Sequence, residues 1–239
     1  MHADRVEIWW LDIDTVAPWQ WPGLSALLDD TERQRAQRFH FDRDRLVYIA
    51  AHALGRRLLS SWAGNAPDEW RFAVGEHGKP ELIRPPGLPD LRLNLSHTRG
   101  LAAAALCLGH PIGIDVEWLG RNPDCAALAQ RFFAAAECQV VQDAPEAAKL
   151  ENFLAFWTLK EAYVKAIGKG LAQPLDSFAF TLRPLGISFA EAGADDPALW
   201  LFRRFCPSER HLAALAVRHP HPEQVMVVAR TMRADDLAD

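Results

Sequence analysis

Val6, Ile8 and Trp10 alternate with Glu7 and Trp9, a period of two that predicts a strand near the start of the chain. A loop rich in Pro and Trp follows at 17–23. From Asp30 the segment DTERQRAQRF and then residues 44–62 turn to a helical period, with Leu46, Ile49, Ala50, Ala53, Leu54 and Leu58 along one face. Residues 70–74 predict a strand, and the Gly- and Pro-rich stretch at 75–80 a turn. Leu91, Leu93 and Leu95 alternate with Arg92, Asn94 and Ser96, so another strand runs out at Ser96-His97. A short turn then leads into an apolar run at 101–108.

Gly109-His110-Pro111 punctuates the middle of the chain and divides it into two expected units, 1–110 and 111–239. The second opens with a strand at 112–118. It continues with a helical region at 126–141, a polar loop around Asp143-Ala144-Pro145, and a helix from about 148 to 167 that Gly168 and Gly170 stop. Strand patterns at 178–182, 199–205, 212–217 and 225–229 complete it. Each unit thus offers an amphipathic helix and several strands, and Arg38-Phe39 and Arg131-Phe132 each precede such a helix. The expected class is α+β, with an internal duplication.

Composition narrows the partners. At 239 residues, 49% hydrophobic and 24% charged, the chain has the makeup of a globular protein and not of a disordered tail or a disulfide-stapled mini-protein. A net charge of -5 argues against a surface built to hold nucleic acid or anionic lipid. The four cysteines form no C-x-x-C pair, and no basic, apolar leader opens the chain, so a reducing, cytoplasmic setting is expected. Arg outnumbers Lys 21 to 5, yet Lys160, Lys165 and Lys169 fall in one segment. A lysine kept where arginine is otherwise used points to a job for a compact ammonium.

The residues that carry chemistry lie on the fourth expected strand and the last long helix. In Gly113-Ile114-Asp115-Val116-Glu117 the two carboxylates share a strand face, their Cα atoms about 7 Å apart. Such a pair suits a hard divalent cation, which takes oxygen ligands beside substrate phosphates; an exposed acidic strand is the bland alternative. On the helix, Phe153, Trp157, Val164 and Ile167 form an apolar stripe, while Glu161 and Lys165 stand one turn apart on another face. That spacing fits a surface ion pair as well as a third metal ligand beside a phosphate-neutralising lysine. Ser96 and His97 point to opposite faces of their strand, which disfavours a Ser-His nucleophile pair.

Taken in order, Gly78-Lys79-Pro80, Asn94-Leu95-Ser96-His97, Gly113-Ile114-Asp115-Val116-Glu117, Arg131-Phe132-Phe133 and Trp157-Thr158-Leu159-Lys160-Glu161-Ala162-Tyr163-Val164-Lys165 closely resemble the 4′-phosphopantetheinyl transferases of the Sfp type. The resemblance implies a monomer of two similar, pseudo-two-fold α+β halves, each with antiparallel strands and a long helix, around a cleft for coenzyme A. It implies Mg²⁺ on Asp115, Glu117 and Glu161, the coenzyme A diphosphate at Lys160 and Lys165, and nucleotide or 3′-phosphate contacts from Ser96, His97 and Lys79. Arg35 stands where the family often has a phosphate-binding lysine, and Val47 where it usually has arginine. The partner would be an apo acyl or peptidyl carrier protein of fatty-acid, polyketide or nonribosomal-peptide synthesis. Glu161, or a metal-bound water, would take the proton of the carrier serine, with Lys165 and Asp115 completing the catalytic set. Two rival readings use the same residues: a metal-dependent phosphohydrolase acting on a nucleotide diphosphate, and a non-catalytic coenzyme A-binding protein.

Overall fold

A computed structural model describes residues 4–74 and 80–238. In chain order the elements are β1 (Arg5–Asp12), α1 (Trp21–Ala26), α2 (Asp30–Gln37), α3 (Asp42–Ala63), β2 (Phe72–Val74), β3 (Pro80–Leu82), β4 (Leu91–Thr98), β5 (Leu101–Leu108) and β6 (Ile112–Trp118). There follow α4 (Cys125–Phe132), α5 (Ala135–Asp143), α6 (Glu146–Ile167), β7 (Phe178–Leu182), β8 (Leu185–Phe189), β9 (Trp200–Ser208), β10 (His211–Arg218), β11 (Met226–Met232) and α7 (Ala234–Ala238).

Two sheets carry the architecture, one ordered β11-β1-β5-β4 and the other β6-β10-β9. Strand alternation gives each sheet two apolar faces. Val6, Ile8 and Trp10 of β1 and Ala103 and Ala105 of β5 share a middle core with Ile112, Ile114 and Val116 of β6 and Leu215 of β10. The opposite face of the first sheet is covered by α3, that of the second by α6. The order is therefore helix, sheet, sheet, helix, with one long helix to each half. Runs of alanine, Ala102 to Ala105 in β5 and Ala213, Ala214 and Ala216 in β10, are fully or nearly fully buried and let these layers lie close.

The two helices are built alike: each has 22 residues and ends on a left-handed glycine, Gly64 (φ 79°) for α3 and Gly168 (φ 72°) for α6. Glycine takes that conformation without a Cβ clash, and its N–H closes the last turn onto Ser60 and Val164 respectively.

Three expectations change. The helical region at 126–141 is two helices, because Phe133 leaves the helix to stack on Phe153 (5.1 Å between centroids), and Glu137 then folds back to cap α5 at Ala134. The Pro/Trp loop contains the short helix α1. The second unit does not keep its own end: β11 pairs in parallel with β1, and Ala234 and Leu237 of α7 pack into the first half's core. No helix among the described residues is long and apolar enough to cross a membrane.

Candidate active site

β4 and β6 are edge strands of different sheets, and they meet through side chains instead of a backbone ladder. The Asn94 side-chain oxygen accepts the Ile114 N–H (2.8 Å), and the Ser96 hydroxyl accepts the Val116 N–H (3.2 Å). Ser96 donates its own proton to Asp115 Oδ1 (3.1 Å) and accepts from the Lys165 ammonium (3.1 Å). Its one donor and two acceptor positions are all used. Ser96 is thus a junction residue whose hydroxyl fixes Asp115.

From the other side α6 brings Lys165 and Glu161. The helix lies unusually close to β6 because Gly113 has no side chain: a Cβ there would run into the Ala162 carbonyl oxygen and sit 2.6 Å from the Ala166 nitrogen. With the helix seated at that depth, the Lys165 ammonium reaches Asp115 Oδ1 (2.7 Å) and the Ile114 carbonyl (3.1 Å). Glu117, at the end of the strand, accepts from Arg121 (2.6 Å). Burial, then the neighbouring Asp115 charge, raises the carboxyl pKa of both Glu117 and Glu161.

Glu117 and Glu161 thus both feel the Asp115 charge, and Glu161 feels that of Glu117 as well. As the side chains stand, no group of three His, Cys, Asp or Glu residues among those described is close enough together to hold a metal ion. Lys165 and Arg121 draw two of the carboxylates to themselves instead. The donor set nevertheless fits a hard cation. It is all oxygen, it carries mutually repelling carboxylates, and the buried Oδ2 of Asp115 lacks a hydrogen-bond partner among the described residues.

Lys160 goes elsewhere, and its expected role at the diphosphate is corrected. It is fully buried on the far side of α6, donating to Glu137 (2.8 Å), the Leu175 carbonyl (2.6 Å) and the Phe178 carbonyl (2.7 Å). Burial lowers its pKa and raises that of Glu137, while their pairing opposes both shifts. Lys160→Met is expected to destabilise the fold by about 3–5 kcal/mol by stranding the Glu137 charge. The double variant Lys160→Met/Glu137→Gln, which removes that charge but keeps an acceptor for the Ala134 and Phe180 N–H groups, should recover much of it in thermal melts. A Lys160→Met protein with native stability would return Lys160 to the ligand.

His97 lies on the β4 face turned toward α3, opposite Ser96. Desolvation and the Lys165 ammonium hold its pKa below the usual histidine value, although the residue remains open to solvent. On α3, the Tyr48 ring stacks on His52 at 4.0 Å, and the Arg35 guanidinium lies 5.6 Å over Tyr48. Arg35 also lines an open groove with Thr31, Gln34, Arg38 and Phe39. Lys79 lies outside the described residues.

Glu32 anchors this wall: it caps α2 and takes His52 Nδ1 (2.7 Å) and Arg56 Nε (2.6 Å). Burial pushes its pKa up, but His52 and Arg56 outweigh this and leave it below the ordinary 4.5. The stability it contributes is present above 4.5 and lost as pH falls through the depressed value. Glu32→Gln should therefore lower stability by about 2 kcal/mol at neutral pH, and melts should show the gap to wild type closing under acid.

A family model described as 4'-phosphopantetheinyl transferase superfamily matches residues 111–216, and one described as 4'-phosphopantetheinyl transferase, N-terminal, matches 16–107. The chain is 33% identical over 215 residues to 4'-phosphopantetheinyl transferase HetI of Nostoc sp., covering 90% of this chain and 88% of that one. It belongs to the 4′-phosphopantetheinyl transferase family. A Bacillus subtilis 4'-phosphopantetheinyl transferase is 30% identical over 82% of this chain and 85% of its own length. 4'-phosphopantetheinyl transferase Sfp of Bacillus subtilis strain 168 is 28% identical over 85% of this chain and 88% of its own. These matches identify a phosphopantetheinyl transferase of the Sfp type and lend no support to the hydrolase or non-catalytic readings.

Asn94, Gly113, His52 and Glu137 shape the site without having been assigned roles from sequence. Asn94 shares a strand face with Ser96, and His52 follows Tyr48 by one helical turn, so periodicity carried a signal for both. The partner of Glu137 is too distant in sequence for any local pattern to reveal.

Proposed function

We propose that this protein transfers the phosphopantetheine arm of coenzyme A to a serine of an apo acyl or peptidyl carrier protein, with Mg²⁺ on Asp115, Glu117 and Glu161. The observation that carries the reading is Asp115: buried at the junction of the halves, fixed through Oδ1 by Ser96 and Lys165, and left with Oδ2 unsatisfied beside two further carboxylates.

The chemistry balances simply. The serine oxygen forms a bond to the β-phosphorus, the bond from that phosphorus to the bridging oxygen breaks, and the electron pair leaves with 3′,5′-ADP. Bound Mg²⁺ would supply charge neutralisation at the diphosphate. Glu161 accepts the serine proton. The Lys165 ammonium, next to Asp115, faces charge growing on the 5′-phosphate of the departing 3′,5′-ADP. Lys165 stays where it is because Asp115, Ser96 and the Ile114 carbonyl hold it, so little reorganisation is needed as that charge develops. His97, Arg35 and Lys79 hold the nucleotide end. Both walls come from one chain, which supports a monomer.

Incubation with Mg²⁺, coenzyme A and an apo carrier protein tests this by mass spectrometry. The carrier should gain one phosphopantetheine as 3′,5′-ADP appears. Coenzyme A breakdown with no mass gain on any carrier would refute the reading.

A further inference from the structure

At the mouth of the junction, three residues outside the proposed metal and phosphate set tie the halves together. Thr98 pairs with Leu101, so Arg99 and Gly100 form a two-residue hairpin tip between β4 and β5. The Gly100 carbonyl accepts the Ile13 N–H (2.9 Å), which fixes the tip to the first half. Arg99 reaches into the second. Its carbonyl accepts a hydrogen bond from His211 Nε2 (2.8 Å), and its guanidinium lies 4.4 Å over the Trp118 ring. His211 and Trp118 are themselves opposite one another in the β10–β6 ladder. The Arg99 tip therefore grips both members of one rung.

His211 is 1% exposed, and its Nδ1 shares a hydrogen bond with the Ser208 hydroxyl (2.8 Å), which orients the ring. On the same β9–β10 turn, Arg210 reaches back to Asp14 of the first half (3.1 Å).

The placement matters because of what precedes each gripped residue. Arg99 follows His97 by two positions, and Trp118 follows Glu117 directly. Between β4 and β6 the cross-strand contacts are made by the side chains of Asn94 and Ser96, farther back along the strands. With no backbone ladder in that seam, the relative position of the two strand ends depends on side-chain contacts.

We infer that Arg99, His211 and Trp118 form a latch that sets the separation between the nucleotide-holding end of β4 and the carboxylate-bearing end of β6. None touches the reacting atoms, so these are positioning residues. The inference rests on the transferase reading for its catalytic consequence and on geometry alone for the latch itself. Opening the latch lets the strand ends splay, and a misplacement of about 1 Å at a reacting centre can cost as much as about 100-fold in rate.

Arg99→Ala and His211→Phe should lower kcat for transfer about tenfold at saturating coenzyme A, with the KM for carrier protein unchanged. Arg99→Lys, which keeps a cation over the indole, should restore most of the rate. Leu237→Ala, a cavity in the distant α7 contact, serves as the control: it should lower the melting temperature without lowering kcat. Hydrogen exchange without substrate should accelerate together at 96–99 and 116–119 in both latch variants. This measurement reads the latch even if wild-type protein transfers nothing, a result that would overturn the proposed function alone. Exposed Arg99 keeps the test open should His211→Phe fail to fold. Unchanged kcat and exchange in Arg99→Ala would overturn the latch, as would an equal kcat loss in Leu237→Ala.

Discussion

Asp115→Asn is expected to lower kcat for phosphopantetheine transfer by about 10³-fold while the protein remains folded. Asparagine keeps the shape and one oxygen to accept from Ser96 and Lys165, so the seam between β4 and β6 survives. What it removes is the charge that completes an all-oxygen donor set around the unsatisfied Oδ2. Circular dichroism should be native, and titration calorimetry should show Mg²⁺ binding weakened or gone. Near-wild-type transfer by Asp115→Asn would remove the basis of the proposed metal site. Loss of the native spectrum would reassign Asp115 to the fold.

Gly113→Val should be nearly as damaging through a different cause. The new side chain has no free space, because its Cβ alone meets the backbone of α6 at Ala162 and Ala166. The neighbouring atoms are helix backbone, which cannot turn aside as a flexible side chain can. The helix must retreat from β6, carrying Glu161 and Lys165 away from Asp115. A penalty of about 3 kcal/mol for overpacking corresponds to a fall in melting temperature of about 6–12 °C for a chain of this size. Transfer activity should be lost even well below that temperature. A Gly113→Val protein with native melting and full rate would show that the close approach of helix and strand is dispensable.

Much of this was legible in the sequence because the decisive signals are local. Alternation put Gly113, Asp115 and Glu117 on one face, and helical spacing put Glu161 beside Lys165. Lys160 shares the motif with Lys165 but not its helix face. At 100° per residue it lies about 140° around the helix from Lys165, so the same period that pairs Glu161 with Lys165 turns Lys160 toward α5 and β7. Its partner, Glu137, lies on a helix whose start is set by Phe133 turning into the core, a tertiary preference that no local period records. The return of β11 to β1 was equally hidden. Parallel pairing across more than 200 residues leaves no mark beyond an apolar run. Ser96 combined both cases: its facing was readable from alternation, but the edge amides it serves belong to another sheet.

Those edge amides have a further consequence. An exposed β-strand border is a template on which a foreign strand can add, the usual beginning of aggregation in β-rich proteins. Here Asn94 and Ser96 occupy the Ile114 and Val116 N–H groups of β6. The same two side chains that align the halves therefore withhold this border from other molecules. Weakening them would trade a misaligned enzyme for a self-associating one.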